Sequence, residues 1–257
     1  LKGLIMEYNG KDLILAMGAP GSRWSGTIRL LSLMHEEINR SDETEELKYD
    51  RYYTDEQGRE RSIGWHRGAY WGPYHTHGKG FDNISEMTKE QAIAEFKAPY
   101  ADWDSGIKIV KSHWFSYDIP QLQEWFPEAT LLCFYMEDQE CFDWWHEVGG
   151  WDIKYPHYQW YENDEGMMNG IIAENDQLRE HFDLKHYYDY DLSRDLGLSE
   201  NIRTVEEMNA IDDKIQTGFG RMFSEDEKME MVNIITSRTK VGVIKQKAGV
   251  IKPQPQS

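Results

Sequence analysis

Cationic charge, cysteine and long apolar runs are all scarce in this sequence, and each scarcity closes off a class of function. Lys and Arg number 28 against 46 Asp and Glu, a formal charge of −18. Broad contact with nucleic acid or an anionic membrane surface needs the opposite balance, so neither is expected as a partner. The two cysteines, Cys133 and Cys141, are too few for a disulfide framework or a cysteine-built zinc site. Reduced thiols are expected. No run of about 20 apolar residues exists to span a bilayer, and Leu1-Lys2-Gly3-Leu4-Ile5-Met6 does not make a signal peptide. A soluble, intracellular, cytoplasmic protein is the expectation.

Aromatic residues are abundant by contrast, at 13% with 10 tryptophans. That exceeds what one core needs and points to some of them lining a site. A chain of 257 residues buries one sizeable core. We expect a single elaborated domain over residues 1–249, with an inserted, charged loop region at 39–80. A disordered tail, 250–257, carries Pro253 and Pro255.

Periodicity alternates along the chain. Residues 12–17 form a short apolar strand, and Ile28, Leu31, Met34 and Ile38 then fall on one helical face. Helices are expected at 86–96, capped by Ser85 or Thr88, at 119–125 before Pro127, at 139–148 and at 175–181. Strands are expected at 107–113, 130–136 and 184–191, the second apolar throughout, as a strand buried on both faces is. Further helices at 205–215 and 225–235 make the last third helical. Strand and helix alternate, which predicts an α/β fold with a parallel sheet flanked by helices.

The organising feature is the turn between the first strand and helix, holding Pro20, Gly21, Ser22, Arg23, Trp24, Ser25 and Gly26. Small residues let the backbone approach an anion, and the unpaired amides of the next helix point at it. A Walker A loop ends in Gly-Lys-Ser/Thr, whereas Arg23-Trp24-Ser25 stands here, which disfavours an ordinary ATPase or GTPase. Two loops, 65–78 and 149–160, are rich in aromatics, glycine and histidine. His75 and His77 would project to one side of a strand as metal ligands do, with His66 nearby in sequence. A third ligand at matching spacing is missing, so no metal is expected; contacts to an acceptor substrate, or ordinary loop histidines, are the other readings. No Gly-x-Ser-x-Gly elbow suggests a serine hydrolase. Glu137, Asp138 and Glu140 read as charges at a helix start.

Four stretches in order resemble the sulfotransferase family. Pro20, Ser22, Ser25, Gly26 and Thr27 resemble its 5′-phosphosulfate-binding turn, and Lys111-Ser112-His113 its Lys-Thr-His. Residues 130–145 resemble the strand and helix that bind the cofactor's 3′-phosphate. Tyr188-Asp189-Tyr190-Asp191-Leu192 resembles its Tyr-Glu-Asp-Leu strand end. The resemblance implies a P-loop NTPase-like, sulfotransferase-like fold. It implies 3′-phosphoadenosine-5′-phosphosulfate as donor and a hydroxyl acceptor, a small molecule or a saccharide. His113 would be the catalytic base, Lys111 would assist at the transferring group, and residues 20–26 would hold the donor, with no metal. The chain departs from the family where Arg-Asp-Pro is replaced by Met136-Glu137-Asp138 and a later serine by Trp144. Residues 240–247, with Lys245, are the candidate for the family's late basic loop. A nucleotide-dependent kinase on a P-loop scaffold, with residues 131–138 as its Walker B strand, is one alternative. A non-catalytic binding protein is the other.

Overall fold

A computed structural model of the chain describes residues 8–41, 52–54, 60–62, 69–70, 84–147, 163–182, 196, 198, 203–204, 206–208, 210 and 241–245. Its centre is β1, Leu13–Gly18, six consecutive buried residues. Their side chains alternate between faces as a strand requires. Leu13, Leu15 and Met17 join one core cluster with Phe96, Phe115, Phe126 and Leu131. Ile14 and Ala16 join the other with Ile28, Leu31, Met34 and Leu132. A strand covered on both sides has no polar face to present, which is why its sequence is a continuous apolar run.

The sheet is built outward from β1. On one side β5, Lys108–Lys111, pairs parallel with it, Ala16 opposite Lys111. On the other, β6, Thr130–Phe134, also pairs parallel, Gly18 opposite Phe134. The short β4, Ala69–Tyr70, extends the parallel set beyond β5. At the opposite edge β7, Val241–Lys245, runs antiparallel to β6. The order is β4-β5-β1-β6-β7, with a separate antiparallel pair of β2, Tyr52–Thr54, and β3, Glu60–Ser62. Helix α1, Trp24–Met34, lies between β1 and the strands that follow, and α3, Ile119–Trp125, carries the chain from β5 to β6. Helices α2, Lys89–Lys97, α4, Asp138–Glu147, and α5, Asp164–His181, complete the described layers. The class is α/β.

Local chemistry accounts for the helix ends. Thr88 and Gln91 form a reciprocal capping box at α2, and Asn163 accepts the Gly166 amide at the start of α5. Helix α1 stops four residues before Ile38, because Ile38 instead makes a parallel bridge to Ile107 beside the sheet. Its last carbonyls are met from far along the chain, by the Arg203 amide at Met34 and the Arg203 guanidinium at Leu33.

Three expectations change. Helix α5 begins eleven residues before the expected 175–181, since its buried face carries Gly170, Glu174 and Asn175 and so does not read as apolar. The inserted region 39–80 contributes strands, one of them part of the main sheet. Residues 241–245, expected as a basic loop in a helical last third, form β7, because Val241, Val243 and Ile244 are β-branched and complete the edge next to β6. The strand at 184–191, the helix at 225–235 and the tail 250–257 lie outside the described residues, as does most of the helix at 205–215.

Candidate functional site

Strands β5 and β6 flank β1 and all three run parallel, so their carboxyl ends open on one side, where ligands bind in open α/β sheets. The turn after β1 sits there. The Ser22 amide bonds back to the Ala19 carbonyl at 3.0 Å, closing it. Gly21, at φ 81°, and Arg23, at φ 63°, occupy the left-handed region. For glycine that is easy; for arginine it stores of order 1–3 kcal/mol. Arg23 is then the N-cap of α1, and it caps nothing. Its side chain makes no capping hydrogen bond, and no acidic residue lies in the first turn of α1. Ser22 is 4% exposed, and its buried Oγ has no hydrogen-bond partner among the described residues. A helix start without a side-chain cap and an orphan hydroxyl are what an anion would complete.

Two sides of the turn are already closed. A Cβ on Gly21 would lie 1.9 Å from the Cys141 carbonyl oxygen, so the backbone of α4 is packed onto it. The Arg23 guanidinium lies 3.9 Å over the Trp144 ring, in the geometry of a cation–π stack. Pro20 is buried within the turn. Trp24, expected to contact a donor, is a core residue whose ring meets His113 edge-on at 4.6 Å. Thr27 bonds its hydroxyl to the Arg23 carbonyl at 3.0 Å. Ser25 and Gly26 form the first turn of α1.

The second contribution comes from the end of β5. The Ser112 amide bonds the Ala16 carbonyl at 3.1 Å, extending the ladder one residue past Lys111. Ser112 Oγ then accepts the Trp114 amide and starts a 3-10 turn, His113–Tyr117. This placement carries His113 back over β1. Its Nδ1 stands 2.7 Å from the Gly18 carbonyl and 3.2 Å from Glu174 Oε2. His113 is 3% exposed and Glu174 1%. Lys111 is fully buried. The structure therefore brings the turn, Lys111 and His113 to one place, and adds Glu174, which no sequence motif indicated.

The third contribution is the acidic end of β6. Arg179, from α5, stands beside the segment where the family resemblance leaves an arginine missing. Its Nη2 meets Asp138 and its Nη1 meets Asp176, each at 2.6 Å, while Nε donates to the Tyr135 hydroxyl at 3.1 Å. Asn175 donates to the Met136 carbonyl at 3.0 Å and to Asp138 at 2.7 Å. The Tyr135 hydroxyl donates to Glu137 at 3.1 Å. An arginine so engaged pins α5 to the end of β6. The spacing of Asn175 and Arg179, one helical turn apart, was the available signal.

Burial shapes the titrating groups nearby. It pushes the Cys141 thiol up to about 12, against a lowering hydrogen bond from Asn175. It also pushes Cys133 up. Neither thiol is a nucleophile at neutral pH. The Tyr117 phenol is raised first by burial and then by the charge of Glu174. Burial raises Asp118 to about 6, against lowering bonds from the Ile84 and Ser85 amides.

Among the described residues, no group of three His, Cys, Asp or Glu side chains could hold a metal ion, and no helix is long and apolar enough to cross a membrane. His66, His75 and His77, the loop 149–160 and residues 188–191 lie outside the described residues. Comparison of the chain with protein-family models, with curated proteins and with solved structures found no match.

Proposed function

We propose that this protein transfers a sulfuryl group from 3′-phosphoadenosine-5′-phosphosulfate to a hydroxyl acceptor, on a P-loop-like, sulfotransferase-like arrangement. The observation that carries the reading is the hydrogen bond from His113 Nδ1 to the Gly18 carbonyl, which holds the candidate base at the end of β1, where the anion-type turn begins. The uncapped start of α1 and the orphan Ser22 hydroxyl fit the donor's 5′ end. The 3′ end finds no such fit, because Glu137 and Asp138 repel phosphate and Arg179 is engaged by two carboxylates. The aromatic stretches 65–77 and 144–160 motivate a saccharide as acceptor, since ring faces stack on sugars.

When bound, the donor supplies a sulfuryl group whose bond to the phosphate oxygen breaks, the electron pair leaving on phosphate, as the acceptor oxygen attacks. His113 accepts the acceptor's proton as that attack proceeds. The first-turn amides of α1, Ser22 and Arg23 bind the anionic group, and Lys111 offsets charge on the transferring group. Transfer of labelled sulfate from the donor to a panel of hydroxyl acceptors, with calorimetry against adenosine 3′,5′-bisphosphate, tests the reading. Binding plus transfer supports it; absence of both overturns it.

One alternative has an observation behind it. The α4 backbone closing one face of Gly21, and the carboxylates at the end of β6, favour a binding protein that does not turn over. Nucleotide binding with no transfer to any acceptor is its signature. A kinase is less favoured, because Asp138, the carboxylate a Walker B strand would offer to Mg²⁺, is held by Arg179 and Asn175.

A further inference from the structure

We propose that Glu174 is the positioning residue of His113: with the Gly18 carbonyl it keeps the proton on Nδ1 and leaves Nε2 as the atom that takes the acceptor's proton. The inference rests on the sulfuryl-transfer reading for its role in turnover, but its geometry stands apart from it. A backbone carbonyl only accepts. At 2.7 Å from Nδ1, the Gly18 oxygen therefore requires the proton to lie on that nitrogen. In the neutral ring the lone pair then belongs to Nε2. Glu174 Oε2, 3.2 Å from the same nitrogen, adds a negative charge on the far side of the ring from the reacting atom.

Each part has a distinct job. Gly18 fixes the tautomer, and Trp24, edge-on at 4.6 Å, limits tilting of the ring. Glu174 stabilises the imidazolium that forms once Nε2 has gained a proton from the acceptor hydroxyl, and it gives up no proton itself. The pair is buried, Glu174 at 1% and His113 at 3% exposure, so solvent screens it weakly. Among the described residues, Tyr117 on the 3-10 turn and Cys141 on α4 feel the charge of Glu174. Tyr117 is raised first by burial, then by Glu174. Cys141 is raised chiefly by burial and least by Glu174. Neither ionises near neutrality. Glu174 sits at the centre of α5, where a helix that only packed would carry an aliphatic residue among Met167, Ile171 and Leu178.

The test is nitrogen-15 NMR of His113 in the wild type, Glu174→Gln and Glu174→Asp, with kinetics on the same proteins. We expect the wild type to hold the proton on Nδ1. Glu174→Gln keeps that tautomer through Gly18 but moves the Nδ1 resonance, because the carboxylate 3.2 Å from that nitrogen is gone. Glu174→Asp restores part of the shift. In turnover, Glu174→Gln lowers kcat about 10-fold or more with KM little changed. A wild-type proton on Nε2 overturns the proposal without any variant, as does an Nδ1 resonance that Glu174→Gln leaves unmoved. If the wild type transfers no sulfuryl group, the functional reading fails, and the NMR result still decides what Glu174 does to His113.

Discussion

At the scale of single residues, the site is governed by groups that have nowhere else to go. Gly21 has a left-handed backbone, and its missing Cβ is the space taken by the Cys141 carbonyl. Gly21→Ala therefore combines backbone strain with a clash against helix backbone that cannot rotate away. A loss of about 3 kcal/mol or more is expected, read as a lowered urea midpoint at unchanged slope. Asp118 illustrates the electrostatic counterpart. Its folded-state pKa is raised from 3.8 to about 6 by burial. Its contribution to stability is thus fully present below about pH 4 and lost as pH rises through 6. Asp118→Asn keeps an acceptor for the Ile84 and Ser85 amides and removes the charge. Between pH 4 and 7 the variant should gain on the wild type by up to ~3 kcal/mol. Denaturation at several pH values checks it, and a constant difference across that range contradicts the assignment. Such residues divide by legibility. The turn and Lys111-Ser112-His113 were visible because chain neighbours carry the pattern. Glu174 was not, because its significance lies in a contact across 61 residues.

At the scale of elements, the readable strands were those buried on both faces, β1 and β6, whose apolar runs leave no alternative. Helix α5 was read as its last turns alone. Its buried stripe runs through Met167, Gly170, Ile171, Glu174, Asn175 and Leu178, with the helical spacing intact and the chemistry polar in the middle. Helix and site are therefore coupled: the residues that blur its pattern are those that bond His113, Met136 and Asp138. Its start depends on Asn163 accepting the Gly166 amide at 2.8 Å. Asn163→Ala should cost about 1 kcal/mol in a thermal or urea melt. Its other anchor is Arg179 against Asp138, a partly exposed pair with 33% and 28% side-chain exposure. A double-mutant cycle of Arg179→Met and Asp138→Asn should give a coupling of about 1 kcal/mol that shrinks with salt. A coupling near zero would mean that the bonds of Asn175 and of Arg179 to Tyr135 hold α5 to the end of β6.

At the scale of the whole molecule, charge sets the behaviour. The chain carries −18 at pH 7, and its calculated isoelectric point is about 4.9. Self-repulsion of that size disfavours the compact state and is relieved either by screening or by protonating carboxylates. Asp118 acts in the same direction, since it too stabilises as pH falls from 7 toward 4. The opposing groups are carboxylates whose pKa is lowered in the folded state. Glu90 is lowered by its own backbone bond and then by Thr88, and Glu207 by the backbone and then the side chain of Thr204. Their contribution is present above the unfolded pKa and lost only as pH falls through the lowered one. The two tendencies cross on the acid side of neutrality, so maximal stability is expected between about pH 5 and 6. In dilute buffer the melting temperature at pH 5.5 should exceed that at pH 8 by a few degrees, taking ~2–4 °C per kcal/mol for a chain of this size. Added NaCl should raise the pH 8 value more than the pH 5.5 value, closing part of the gap. The part that salt leaves is the share of buried groups such as Asp118, which screening hardly reaches, and Asp118→Asn should reduce it. A melting temperature that falls steadily from pH 8 to 5.5 would mean that net repulsion does not control stability in this range.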